Sequence, residues 1–430
     1  MNLVPGSEGG FAALHAWAIA TAAVVAAGCA LVGTLLVVRR MSLLGDAISH
    51  AVLPGIVLAV LAGGRPGGFA VLGGAVVAAV VTVLLVQALR SEGGVAEDAG
   101  TGVVFTTLFA VGVVLASALA RRIDLDPSCV LYGVLEFVPF DTVAVAGLEV
   151  PRAFLTGVVV LGLVGAGLAA TWKDQVFAAF DAEAARAVGV PVAAVTTGLL
   201  AATALVTVAS FEAVGAILVV AMLVVPAAAA ELLVRRLAWM AVVAVVLGVA
   251  AACLGYMAAY RLDTSAAGMI AVVLGLEYAV AAIVAPEDGV LARGAARARL
   301  AWRVRCEDLL ARLWRADEAR AGPPAATGPG DWAAAAWLRV SGRIVRDGDR
   351  WGLTAPGRAE AETVVRSHRL WEAWLGRHVE LPLDHLHPPA EWIEHHLGAD
   401  VRRRIEAEVG GEESDPHGRA IPRERGRPNA

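Results

Sequence analysis

Lysine is almost absent: Lys173 is the only one in 430 residues, and Trp172 precedes it. A phosphate-binding P-loop needs a Gly-Lys-Ser/Thr run, because that lysine reaches the phosphates. The chain therefore carries no Walker motif, and any work driven by ATP hydrolysis needs another chain. Cysteine is sparse as well. Cys29, Cys129, Cys253 and Cys306 stand far apart with no paired spacing, which excludes a disulfide framework and a zinc–thiolate knuckle. The first residues, Met1 to Gly10, lack a basic stretch and a clean cleavage site, so the first apolar run reads as a retained span and not as a removed signal peptide. Charge is missing over most of the length. Residues 287–430 hold 46 of the 75 charged groups, which divides the chain into one body for lipid and one for water. The tail is close to balanced in sign, so there is no overall basic footprint for nucleic acid.

What is abundant is apolar: 58% of residues are hydrophobic and the mean hydropathy is +0.68. A transmembrane helix needs about 20 apolar residues. Candidate spans lie near 13–38, 44–63, 68–89, 101–120, 152–171, 190–209, 213–234, 238–259 and 265–285. The fold class expected is an all-α polytopic membrane protein of about nine transmembrane helices, with a C-terminal soluble winged-helix-like plus helical domain. Arg39-Arg40 and Arg235-Arg236 both fit a cytoplasmic side, since basic loops stay inside. This puts the N-terminus outside and the tail in the cytoplasm. Arg121-Arg122 falls on the outer side in that topology, and 123–150 has room for an extra or re-entrant segment. Residues 172–189 read as a short, charged amphipathic stretch, either a surface-lying helix or a docking element.

Inside the membrane body the best constellation is Asp46 and His50. They lie four apart and so share a helix face. An acid and an imidazole suit Mn²⁺, Fe²⁺ or Zn²⁺, and ionisable groups in a span usually line a pathway or pair with each other. The alternative is a mutual hydrogen bond that fixes helix packing. Glu212, at the head of the seventh candidate span, is a further candidate for the path, against a plain interfacial carboxylate.

The segments RRMSLLGDAISHAVLPGIVLA (Arg39 to Ala59), EDAGTGVVFTTLFAVGVVLAS (Glu97 to Ser117), DLDPSCVLYGVLEFV (Asp124 to Val138) and SFEAVGAILVVAMLVVPAAAAELL (Ser210 to Leu233) resemble the signatures of the manganese/zinc/iron ABC-transporter permeases. The likeness covers nearly all of 11–286. It implies a second permease chain (the same or a sister permease), two cytoplasmic ABC ATPases and an extracytoplasmic metal-binding protein. It also implies that Asp46 and His50 belong to the translocation path. By position, Phe180 to Gly189 matches the family's coupling helix to the ATPase, with Phe180, Asp181, Glu183, Ala187 and Gly189 as its residues.

After Pro286 the pattern changes. Residues 291–320 have helical periodicity, 321–330 is a loop rich in Pro and Gly, and DWAAAAWLRVSG is a short helix. RIVRDGDRWGLT reads as a β-hairpin around Asp-Gly, and 356–409 is helical. The expected division is a membrane domain at 1–286, a linker at 287–302, the soluble domain at 303–422 and a disordered tail at 423–430. Seven of the nine histidines lie beyond residue 367. His368 and Glu372 are i and i+4, while Glu391, Glu394 and His395 share one helix face, with His387 four residues earlier. Such sets suit Mn²⁺ and Fe²⁺, and zinc less so without thiolate. A solvated, salt-bridged surface is the alternative.

LTAPGRAEAETVVRSHRLWEAWLG (Leu353 to Gly376), HPPAEWIEHHL (His387 to Leu397) and DPHGRAIP (Asp415 to Pro422) are similar to the iron- and manganese-dependent repressors of the diphtheria-toxin-repressor type. The resemblance implies His368, Glu391, Glu394 and His395 as metal ligands, with Glu372 and His387 in a second, ancillary site. Glu391 stands where iron-type members have cysteine, as in manganese-type members. On the first helix Asp308 fits a ligand position and Ala311 fails the next. The recognition helix would be DWAAAAWLRV, where four alanines offer only methyl contacts to base edges. Arg339, Arg343 and Arg346 suit phosphates, which position without specifying. Sequence-specific DNA binding is therefore not expected. The reading is a permease subunit of an ATP-driven importer of a divalent transition metal, manganese before zinc or iron, with no tightly bound cofactor. The metal is its substrate and a regulatory ligand of the tail. The alternative is a membrane-tethered, metal-dependent transcription regulator.

Overall fold

The computed structural model describes residues 8–41, 45, 47, 50–63, 69–91, 97–119, 135–145, 147–322, 328–347, 350–379, 382, 385, 390–391, 393–409 and 413–422. The chain divides into two compact units, Met1–Ala292 and Arg293–Ala430, with the boundary inside the segment read as a linker.

Nine helices are described in the first unit. They are α1 (Glu8–Val38), α2 (Leu53–Leu61), α3 (Phe69–Ser91), α4 (Glu97–Leu119), α5 (Arg152–Phe180), the short α6 (Ala182–Ala187), α7 (Val192–Leu233), α8 (Leu237–Leu262) and α9 (Ala266–Val284). A 3₁₀ turn at Val138–Phe140 and a hairpin of β1 (Thr142–Val145) and β2 (Leu148–Pro151) precede α5. The described part of the stretch suspected of being re-entrant is thus a turn and hairpin, and Arg121-Arg122 lie outside the described residues.

Among the described residues six helices are long and apolar enough to cross a membrane, with shorter apolar stretches at Gly73–Leu89 and Ile217–Leu233. The expected count of nine is not reached among these. The segments expected at 190–209 and 213–234 are two helices that meet at a kink at Gly215 (φ 77°, ψ 163°) within α7, and the second, Ile217–Leu233, falls short of spanning length, as does Gly73–Leu89 in the span expected at 68–89. Only Leu53–Leu61 of the span expected at 44–63 is a named helix. The charged stretch at 172–189 also differs from expectation: its first half continues α5 to Phe180.

Helix α1 is the hub, packed against α5, α7 and α8. Its sequence explains this. Ala18, Ala22, Ala26 and Ala30, four residues apart, form a fully buried stripe. Apolar burial drives no association between helices in lipid, so close van der Waals packing of small residues must do it. The approach is tightest at Gly33, where a Cβ would lie 1.8 Å from the Leu223 carbonyl oxygen of α7. Gly55 of α2 and Gly74 of α3 meet in the same way.

The second unit follows the order expected from its sequence: α10 (Val290–Glu318), α11 (Pro329–Val340), β3 (Ile344–Asp347), β4 (Arg350–Leu353), α12 (Ala355–His378) and α13 (Ala399–Val409). Strands β3 and β4 are antiparallel, with Ile344 opposite Leu353 and Asp347 opposite Arg350. Leu309, Leu310 and Leu313 of α10 pack on Ala334, Ala335 and Leu338 of α11, with Ile344 and Ala361. A second core joins Leu370 and Ala373 of α12 to Ile405 and Val409 of α13 and to Ile421. The side chain of Thr354 caps α12 by accepting from the Gly357 N–H at 3.3 Å and ties it to the preceding turn by donating to the Gly342 carbonyl at 2.7 Å.

Candidate metal centres

In the membrane unit His50 is half-buried and packs against two rings of α4, with centroids 5.5 Å from both Phe105 and Phe109. Asp46 lies outside the described residues, so the pair expected from spacing is placed at one member only. Glu212 falls three residues before the break at Gly215 in α7, and its side chain likewise lies outside the described residues.

The segment expected to couple to an ATPase is well defined. Asp181 caps α6, its Oδ1 accepting from the N–H groups of Glu183 and Ala184 at 3.1 and 2.9 Å, as an N-cap aspartate should. Gly189 ends the turn at φ +92°. Phe180 is 70% exposed, whereas Ala185 is buried against Ala178, Val192 and Val195. Glu183 and Ala187 lie on the exposed side. A residue not singled out in the sequence holds this corner. Gln175, almost fully buried, accepts at Oε1 from Arg39 at 2.8 Å and donates to the Val195 carbonyl at 3.2 Å. Arg39 also donates to Thr196 Oγ1 at 3.0 Å. The first arginine of the Arg39 to Ala59 segment therefore ties the end of α1 to α5 and α7.

Two further features of this unit were not read from the sequence. A cavity of about 270 Å³ is lined by His15, Glu136, Tyr256, Tyr260 and Asp263, among others. His15 Nδ1 lies 2.9 Å from the Tyr256 hydroxyl, and Glu136 accepts from the Ala266 N–H at the start of α9. Glu277 is the one acid within α9. It follows Ile270 and Leu274 and precedes Ala281 on the buried stripe of that helix, and its Oε2 is buried without a hydrogen-bond partner among the described residues. A lone acid in an apolar 19-residue run is the signal that would have found it.

In the second unit the histidines and acids do converge. His368 on α12 is buried, with Nδ1 2.6 Å from Glu394 and Nε2 3.2 Å from Glu372. His395 lies 2.7 Å from Glu307, 3.0 Å from Asp308 and 3.5 Å from Glu394. Burial works against protonating His368, but Glu372 and Glu394 outweigh it and raise its pKa. The same opposition acts on His395, where Asp308, Glu307 and Glu394 win and push the pKa up to about 9. Protonated, the two imidazoles pair with the surrounding carboxylates.

Ligand atoms of Asp308, Glu394 and His395 lie within 4.8 Å of one another, and so do those of Glu372, Asp415 and His417. The donors are carboxylate oxygen and imidazole nitrogen, which fit a hard or borderline divalent ion such as Mn²⁺ or Fe²⁺. His368 stands between the two groups. Arg315 reaches Glu394 Oε2 at 3.5 Å, and Arg369 lies 3.7 Å from Asp415 Oδ2 while pairing with Glu318 and stacking over Trp314. Of the residues expected from sequence, His368, Glu372, Glu394 and His395 meet. Glu391 is exposed and is not in either group among the described residues, and His387 lies outside them. Ala311 is buried and supplies no ligand. Glu307, Asp415 and His417 were missed. The Asp-Pro-His-Gly run carried the signal for the last two, since it sets an acid and an imidazole two residues apart.

Comparison with known proteins places both units. Residues 12–285 match the model of the ABC 3 transport family, and residues 354–423 match the iron dependent repressor, metal binding and dimerisation domain. The chain is 43% identical over 282 residues to the manganese transport system membrane protein MntD of Bacillus subtilis, covering 65% of this chain and 95% of the relative. It is 36% identical over 273 residues to the zinc transport system membrane protein TroD of Treponema pallidum, covering 63% and 74%. The chelated iron transport system membrane protein YfeD of Yersinia pestis is 36% identical over 272 residues, covering 62% and 84%. Among solved structures, PsaBC from Streptococcus pneumoniae in complex with Fab superposes with a TM-score of 0.54 at 27% identity, covering 64% of this chain and 92% of that one. The chain is thus a member of the ABC 3 transport family, a membrane-spanning permease that also carries an iron-dependent-repressor-type metal-binding and dimerisation domain.

Proposed function

We propose that the chain is the permease subunit of an importer for a divalent transition metal, with manganese as the preferred ion. The relatives named for manganese, zinc and iron transport support the substrate class, and the oxygen-and-imidazole donor set of the second unit favours manganese. ATP is hydrolysed on separate cytoplasmic ATPase chains, which dock on Phe180 to Gly189. An extracytoplasmic binding protein delivers the ion, and a second permease chain completes the path. Asp46 and His50 line that path, with Glu212 near its kinked helix and the rings of Phe105 and Phe109 steering the His50 imidazole. The cavity at His15 and Glu136 lies at the N-terminal end of α1, away from Arg39, and faces the delivering protein.

The second unit lies in the cytoplasm and senses imported metal. Asp308, Glu394 and His395 hold one ion, and Glu372, Asp415 and His417 hold a second. The single observation that carries this reading is the buried convergence of His368, Glu394 and His395 on the same chain as a metal permease. Metal binding there closes the transporter when internal metal is plentiful. The test is manganese uptake into vesicles with Mn²⁺ inside, using the full chain and one cut near Arg293. Inhibition by internal Mn²⁺ should vanish in the cut chain, and equal inhibition in both overturns the sensing role. Asp46→Ala and His50→Ala should each abolish uptake while the protein stays in the membrane; full uptake in both removes them from the path.

The second reading, a membrane-tethered transcription regulator, is disfavoured by the helix α11, whose outward side chains include no reader of base edges except Arg339. A gel shift by the full chain with Mn²⁺ and its own promoter DNA would revive it.

A further inference from the structure

Residues 286–353 fall between the two family matches, yet they contain a surface with a definite chemistry. Helix α9 ends at Val284, and α10 begins at Val290. The turn between them is fixed: the Gly289 N–H donates to the Ala285 carbonyl at 3.1 Å, and Arg235 pairs with Glu287 and Asp288 at 2.8 and 2.6 Å. The turn that leads into α10 is therefore tied to Arg235, just after the end of α7.

From Gly289 to Cys306 the sequence has five arginines, at 293, 297, 299, 303 and 305, and no acid. Burial on α10 begins only at Cys306; before it every residue is exposed or half-exposed. Among the described residues no carboxylate lies within ion-pair distance of Arg293, Arg297 or Arg299. The stretch before Cys306 therefore gains little support from packing in its own unit, and packing is what stabilises most protein helices.

The far end of this stretch runs into an aromatic face. Trp302 meets Trp337 of α11 edge to face at 6.5 Å, and Arg343 stacks 5.3 Å above Trp337. Helix α11 turns Ala334, Ala335 and Leu338 inward, and leaves Trp332, Trp337 and Val340 facing out at 54, 45 and 89% exposure. Where a repressor would present base-reading side chains, this helix presents indoles, which favour the boundary between hydrocarbon and water.

We infer that the arginine stretch of α10 and the indoles of Trp302, Trp332 and Trp337 dock on anionic lipid headgroups of the leaflet that α10 leaves. Three observations select this occupant. The cluster is basic without an acid, as an anionic surface requires. Its helix begins six residues after the last span, and its first arginine stands nine residues after it. Tryptophan beside arginine is the composition of an interfacial helix. Only the identity of the leaflet rests on the topology proposed above, so failure of this inference leaves the transport reading intact.

The test is hydrogen exchange of the full chain in lipid nanodiscs, made of phosphatidylcholine alone or with phosphatidylglycerol added. Residues 290–305 should exchange at least about fivefold more slowly in the anionic discs, the effect expected from a single arginine at such a surface. Residues 332–340 should be protected in parallel. Molar salt should remove the protection by screening, and so should Arg293→Gln, Arg297→Gln and Arg299→Gln together. Trp337→Ala should release residues 332–340 while sparing 290–305. Unchanged exchange of α12 shows in each case that the domain is folded. Equal exchange in both discs overturns the inference, as does protection that appears only when DNA or an ATPase subunit is added.

Discussion

Glu394 takes in two histidines and an arginine at once, and the protonation of its neighbours sets how the second unit responds to pH. The pKa of His395 is raised from an ordinary 6.5 to about 9. A group whose pKa is higher in the folded state stabilises the fold fully below its unfolded pKa and ceases to do so above its folded one. The metal-free second unit should therefore lose stability as pH rises from about 6.5 through about 9, read as faster hydrogen exchange in α12; His395→Gln should flatten that dependence. Added Mn²⁺ should reverse it, because binding requires the deprotonated imidazole and displaces the proton. Glu277 makes the opposite kind of residue-scale case. A buried carboxylate oxygen without a donor costs about 1–3 kcal/mol. Glu277→Leu should then raise the melting temperature of the purified chain. Unchanged or lower stability would mean that the carboxyl has a partner in the assembled transporter.

At the scale of elements, the helix contacts are set by where glycine and one glutamine stand. Gly33→Val would drive a side chain into the Leu223 carbonyl. Overpacking of that kind costs typically 1–3 kcal/mol, occasionally more, and should reduce the amount of folded chain recovered from membranes. Gly248, with its nearest neighbour at 3.4 Å, should accept alanine with little effect, which makes it the control. Gln175→Ala would leave Arg39 without its Gln175 Oε1 acceptor, while the Gln175 carbonyl remains, beside the segment proposed for coupling. Only its side-chain oxygen is lost, but Arg39 is a charged donor, so a cost of about 1–3 kcal/mol is expected. Uptake should fall more than protein level does, because the corner proposed to receive the ATPases is loosened.

For the molecule as a whole, metal should act as a ligand of the folded state. Binding to the native form alone stabilises by mass action, about 2.7 kcal/mol at a hundredfold excess over Kd. Mn²⁺ should thus slow exchange throughout α12 and α13, a chelator should reverse this, and Glu394→Gln should abolish it. Exchange in α1 serves as the reference, since it belongs to the other unit.

Much of this was written locally in the sequence. Apolar length gave the spans, because a bilayer forces each backbone to satisfy its own hydrogen bonds within a helix. The four membrane motifs and the histidine-rich tail identified both units, and i, i+4 spacing brought His368 to Glu372. Local spacing failed where partners come from distant segments. Glu307 and Asp308 reach His395 from 88 and 87 residues away, and His417 approaches Glu372 across a turn that no periodicity reveals. The kink at Gly215 falls between the two runs expected as separate spans, but its size was hidden, since a glycine in an apolar run gives no sign of how far the axis bends. Composition, in short, determined which solvent each half of the chain prefers, and ligand chemistry determined what its polar residues can hold. Which acids meet which histidines, and which arginines of α10 stay exposed, was decided only by tertiary packing, because those pairings depend on distances through space between segments far apart along the chain.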